Sequence, residues 1–130
     1  MALEEHNIEL NEEQIRNGAL TMEDGYAHAK ALLANNTSRL TALFTFSDFV
    51  ALGAIRAVQE AKLRIPQDIA IVGYDDIDFA FCLEAPLTTV GVPKWQIGEE
   101  VVAMLEKRMI GEACRGYLKL PVELVVRQSS

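Results

Sequence analysis

Cysteine, proline and aromatic residues are scarce in this chain, and positive charge is in the minority. Its 130 residues include two cysteines, four prolines and one tryptophan, with 12 Lys plus Arg against 19 Asp plus Glu. Cys82 and Cys114 cannot form the disulfide framework of a small secreted domain, and neither has a partner at metal-ligand spacing. A reducing compartment suits this usage, so the expected location is cytoplasmic, with no metal and no cofactor. The formal net charge of -7 repels nucleic acid phosphates and anionic membranes, which disfavours direct DNA contact by this segment. No apolar run approaches the ~20 residues of a membrane-spanning helix. The amino end, Met1-Ala2-Leu3-Glu4-Glu5-His6, lacks the basic start and long apolar stretch of a secretory signal. Gly73 and Gly91 stand alone, and no GxGxxG or P-loop sequence occurs, so nucleotide binding through a glycine-rich loop is disfavoured.

What is present is core-forming material. Half of the residues are hydrophobic, enough for one small packed domain. Thr21-Met22-Glu23-Asp24 has the form of a capping box, with Thr21 and Asp24 each reaching the other's backbone N–H. It opens a helix to about Ala34, closed by the turn-forming Asn35-Asn36-Thr37-Ser38. Thr41-Ala42-Leu43-Phe44-Thr45-Phe46 is an apolar, β-branched and aromatic run that reads as a buried parallel strand. Ser47 or Asp48 can cap the following helix, residues 49–62, whose Leu52, Ile55 and Val58 recur at three-residue spacing among small alanines. Residues 69–74 form a second strand and 87–92 a third, stopped by Pro93. The next helix, 94–110, carries Gly98, Val101, Val102, Leu105 and Met109 along one face, and Gly111 suits its end. A short strand near 15–20 and an extended tail over 117–127 complete the order β-α-β-α-β-β-α-β. Alternation of this kind argues an α/β fold, a mostly parallel open sheet flanked by helices.

The chemistry gathers where strands end. In open α/β sheets ligands bind beyond the carboxyl ends of the strands. Asp48 follows one such end, and Asp75-Asp76 follow another. A carboxylate has several acceptor sites and can take two hydroxyls of one ligand through charge-assisted bonds. The plainer readings are a helix cap for Asp48 and turn chemistry for Asp75-Asp76. Glycosidase chemistry would need two carboxyls about 5–10 Å apart across the scissile bond. No third polar group supports it, and His6 and His28 sit elsewhere, His28 on the first long helix and facing solvent. The expectation is therefore a binding protein and not an enzyme. Phe44 and Phe46 are core residues by default, although Phe44 can offer a face to a flat ligand. Phe79, Phe81 and Leu83 pack under a loop or form a self-complementary patch.

Together these segments resemble the effector domain of the lac/galactose repressor family. The resemblance rests on Thr41-Ala42-Leu43-Phe44, Ser47-Asp48 and Ala51-Leu52-Gly53-Ala54-Ile55-Arg56-Ala57. It continues through Arg64-Ile65-Pro66-Gln67-Asp68-Ile69-Ala70-Ile71-Val72-Gly73-Tyr74-Asp75-Asp76, Leu87-Thr88-Thr89-Val90 and Leu120-Pro121-Val122-Glu123-Leu124-Val125-Val126-Arg127. It covers essentially the whole chain. It implies one lobe of a type I periplasmic-binding-protein-like fold, in a regulator whose separate helix-turn-helix headpiece binds operator DNA. The effector would be a sugar or related metabolite held between two lobes.

By the same resemblance, residues 1–93 are the second lobe without its first strand. Residues 94–111 are a helix that packs on the first lobe, and 112–130 are a returning C-terminal strand. Asp75 corresponds to a position that contacts effector hydroxyls, and Phe44 to one that can touch the ligand ring. Ser47 stands where many relatives have Asn, followed by the matching Asp48. Val92 stands where some sugar-binding relatives are polar. Phe81, Cys82 and Leu83 match a dimer-contact region, which implies a homodimer. A fragment of a periplasmic sugar-binding protein for transport or chemotaxis is the alternative.

Overall fold

Three strands lie parallel: a helix joins the first to the second, and residues 76–87, which hold no helix, join the second to the third. In the computed structural model, which describes residues 2–35, 40–113 and 116–130, β1 is Ala42–Phe44, β2 is Ala70–Asp75 and β3 is Thr88–Gly91. A short β4, Glu123–Val125, runs antiparallel to β3, so the sheet order is β1-β2-β3-β4. Leu43 aligns with Ile71, and Gly73 with Thr89. The helices are α1 (Ala2–Glu5), α2 (Met22–Ala34), α3 (Asp48–Glu60) and α4 (Lys94–Met109). The result is the mostly parallel open sheet with flanking helices that strand and helix alternation implied.

Two helices cover one face of the sheet. α2 starts at the Thr21/Asp24 capping box, with Thr21 Oγ1 accepting from the Asp24 N–H and Asp24 Oδ2 accepting from the Thr21 N–H. α3 lies across α2 and packs on β2. The helices approach closely at Gly53, where a Cβ would collide with the Met22 carbonyl of α2. Beneath them Ala51, Ile55, Val58, Ile69, Ile71, Ala80 and Leu87 form the core. A core of this size is the main driving term for a small domain.

The carboxyl-terminal tail is stitched into the sheet. Ser129 is fully buried; its Oγ donates to the Ile71 carbonyl at 2.5 Å and accepts from the Thr88 N–H at 2.8 Å. The Ile71 N–H in turn donates to the Ser129 carbonyl. These bonds leave no buried polar group unmatched where the tail crosses Thr88.

Several expectations need correction. Residues 15–20 form no strand: Gly18 takes a left-handed φ of 84°, and no described strand runs beside the segment. Phe44 and Phe46 are each 70% exposed rather than core. Among the described residues β1 pairs with β2 alone, and its residues alternate between the helix-covered face and an open one. The tail is extended over a shorter stretch than 117–127, with pairing confined to β4. His28 is half-buried rather than solvent-facing, and its Nδ1 is buried without a partner among the described residues. Asn36, Thr37 and Ser38 of the expected turn, and Cys114, lie outside the described residues. α4 runs as expected, with Gly111 at a φ of 77° after its end, but none of its residues is buried.

Candidate functional site

Parallel pairing brings the carboxyl ends of β1, β2 and β3 to one edge. Phe44 ends β1, Ser47 and Asp48 follow it, Asp75 ends β2, and Gly91 ends β3. The sequence-derived candidates thus share an edge, but they do not all face outward. Ser47 is buried, and its Oγ accepts from the Val50 N–H as the cap of α3. With the cap supplied by Ser47, Asp48 is free to turn inward.

Asp48 is 0% exposed. Its Oδ1 accepts from the Thr89 hydroxyl of β3 at 2.6 Å, and its Oδ2 accepts from the Ile77 N–H at 2.9 Å. One carboxylate therefore ties α3, β3 and the turn after β2 together. Gly73 is obligatory for this, because a Cβ there would overlap Asp48 Oδ1. A buried charge is tolerated only when it is paired or hydrogen-bonded like this. Asp48 has no open side for a ligand, so its place in the site is beneath the edge.

Asp75 is the outward member. It stands at a φ of 108°, with Asp76 after it at 52°, so two consecutive non-glycine residues occupy the left-handed half of φ space. Such geometry is uncommon outside functional turns and tight corners. No hydrogen-bond donor lies on the Asp75 carboxylate among the described residues. Burial holds its proton affinity above the ordinary aspartate value; the nearby Asp48 charge adds to this, and Lys94 opposes it. A half-buried carboxylate without a partner can accept hydroxyl or N–H donors from a ligand, which would repay part of its desolvation.

Sequence reasoning missed three residues that build this edge. Thr89 bridges it, donating to Asp48 and accepting from the Asp76 N–H at 3.4 Å. Lys94, first in α4, donates to the Asp76 carbonyl at 2.7 Å. Arg127 forms a salt bridge to Asp76 Oδ1 at 2.6 Å. The signal for Thr89 was faint: a hydroxyl in a buried strand needs a partner, but spacing could not name one 41 residues away.

Other surfaces lie beside the edge. A cavity of about 340 Å³ opens between α4 and residues 118–122, lined by Tyr74, Val92, Ile97, Val101 and Leu120, with Glu100 as its charged side chain. Phe81 and Cys82 are exposed, whereas Leu83 packs against the core. Among the described residues no group of His, Cys, Asp and Glu could hold a metal ion. No helix there is long and apolar enough to cross a membrane.

Comparison with known proteins gives a consistent picture. Residues 1–130 match the periplasmic binding protein-like domain family. The chain is 37% identical over 129 residues to the HTH-type transcriptional repressor PurR of Mannheimia succiniciproducens, covering 98% of this chain and 38% of that protein. It superposes with a TM-score of 0.92 and 34% identity on a transcriptional regulator CelR–cellobiose complex, covering 99% of this chain and 39% of that one. It superposes with a TM-score of 0.87 and 33% identity on the lac repressor dimer bound to operator and the anti-inducer ONPF, covering 98% of this chain and 44% of that one. The chain thus spans about two fifths of the length of these relatives.

Proposed function

We propose a function from one premise: this chain belongs to the periplasmic binding protein-like domain family, as a lobe of the lac/galactose repressor type. In this reading it is the effector-sensing part of a bacterial transcription regulator. It binds a small, hydroxyl-bearing effector, a sugar or related metabolite, and acts on operator DNA only through a separate headpiece. The similar proteins are repressors or transcriptional regulators by name, which favours regulation over a transport protein and over catalysis. A cytoplasmic location and a homodimer follow from the same reading, with Phe81, Cys82 and Leu83 on the contact surface between copies.

The observation that carries this is the Asp75 carboxylate. It ends β2 at the shared strand edge, half-buried, with no donor on it among the described residues. Phe44, exposed at the end of β1, supplies an apolar face for a ring. Ser47 and Asp48 contribute from below, by capping α3 and by fixing the turn. α4, bare along its apolar face, packs on a first lobe. The effector then works by population shift: bound between lobes, it stabilises one lobe arrangement and so alters headpiece spacing on DNA.

Operator release tests the reading. In the full-length regulator, cellobiose and sucrose, the sugars held by two structurally similar regulators, are assayed for their effect on operator affinity. Asp75→Ala is expected to abolish the response to whichever of them acts, while operator binding without effector is retained. Equal loss of both in Asp75→Ala, or an unaltered response, contradicts the assignment.

A further inference from the structure

We propose that Arg127 is a positioning residue for Asp75: from the tail that follows β4 it clamps Asp76 and the Leu87 carbonyl, and so sets the turn that presents the Asp75 carboxylate. This rests on the reading of Asp75 as an effector acceptor.

Asp75 has nothing of its own to hold it. Its carboxylate is without a donor among the described residues, and its φ of 108° and that of Asp76, 52°, persist only where the surroundings over-determine them. The holding is done at the next two residues, by four separate parts of the fold. Asp48 of α3 takes the Ile77 N–H at 2.9 Å. Thr89 of β3 accepts weakly from the Asp76 N–H at 3.4 Å. Lys94 of α4 reaches the Asp76 carbonyl at 2.7 Å from an exposed position. Arg127 alone among the described residues engages the Asp76 side chain, at 2.6 Å from Nη2 to Oδ1.

Arg127 suits this task because it is itself anchored. Its Nη1 donates to the Leu87 carbonyl at 2.8 Å, and its backbone N–H donates to Thr88 Oγ1 at 2.9 Å. The following Gln128 and Ser129 N–H groups both donate to the Pro86 carbonyl. The guanidinium is thus a planar fork on a fixed support, joining the start of β3 to the turn after β2. Its pair with Asp76 is mostly shielded from water, so solvent screens it less than the exposed Arg56–Glu60 pair. The groups facing Asp75 are Asp48 from α3 and Lys94 from α4, with Asp76 next in the chain.

Carboxyl-carbon NMR titration of Asp75 in the ligand-free chain tests the assignment, alongside hydrogen exchange of the Ile77 amide. Through-space loss of a cation would raise the Asp75 midpoint. Release of the turn does the opposite, because Asp75 moves out of its half-buried place and away from Asp48. Arg127→Gln is therefore expected to lower the midpoint toward the ordinary aspartate value and to speed Ile77 exchange at least about tenfold relative to Val58 in α3. Arg127→Lys keeps the charge but not the fork, and is expected to lower the midpoint by less. A midpoint in Arg127→Gln that stays put or rises overturns the proposal. Should that variant fail to fold, an unmoved midpoint in Arg127→Lys overturns it. An effector response that persists in Asp75→Ala, with the Arg127 result intact, would instead count against the reading of Asp75 alone.

Discussion

α3 and α4 are both amphipathic helices, yet one is built into the lobe and the other stands bare. α3 buries Asp48, Val50, Ala51, Gly53, Ala54, Ile55, Ala57 and Val58. α4 buries none of its residues, and Trp95 at its start is 89% exposed. The difference lies in side-chain size and in what lies opposite. α3 alternates small and branched residues, which lets it meet α2 backbone to backbone and β2 through Ile55 and Val58. α4 carries Val101, Val102, Leu105 and Met109 at helical spacing, and each of them is at least half exposed. Helical periodicity therefore reports an apolar face, and α4 shows that such a face need not be buried within these residues.

This contrast can be broken or sharpened by substitution. Ile71→Ala, in the sheet below α3, is expected to have the largest effect, lowering unfolding free energy in urea by about 2–5 kcal/mol. A loss below that range would mean the sheet half is looser than its burial implies. Asp48→Ala comes next. It strands the Thr89 hydroxyl and the Ile77 N–H without their acceptor, and a cost of about 2–3 kcal/mol is expected from the same denaturation curve.

Asp75→Asn should move stability the other way. Its folded-state proton affinity is raised by burial and by Asp48. The native state therefore holds that proton more tightly than the unfolded chain. Asp75 adds stability below the ordinary aspartate value and loses that contribution as pH rises through its raised folded value. At neutral pH the neutral amide is expected to unfold later on heating than the wild type, with the gain vanishing in acid. A lower melting temperature at neutral pH would contradict this sign. Leu105→Ser on α4 should be the smallest change, within about 0.5 kcal/mol, because the residue is already exposed in this lobe.

Much of the architecture was legible because it rests on local signals. Thr21 and Asp24 announced the start of α2, and Ser47-Asp48 that of α3 without saying which of the two is the cap, since caps satisfy N–H groups within three residues. The β-branched runs marked β2 and β3, and Pro93 and Gly111 bracketed α4. The 15–20 strand failed because strands need neighbours, and sequence does not show whether a neighbour is at hand. Phe44 was misplaced for a related reason: a strand with one covered face exposes every second residue.

The site was half legible. Aspartates at or just after the strand ends located the edge, and Asp75 stands there with no donor on its carboxylate among the described residues. The inward turn of Asp48 depends on Gly73 leaving room and on Thr89 donating, both contacts between distant segments. The Arg127–Asp76 pair spans 51 residues, and no spacing rule reaches that far.

Native-state hydrogen exchange, residue by residue and at low protein concentration, tests most directly whether the sheet half stands on its own while α4 awaits a partner. The expected result is slow exchange through global unfolding at the Ile71 and Ala54 amides, with α4 amides exchanging orders of magnitude faster through local opening. Equal protection of α4 and α3 would contradict the account.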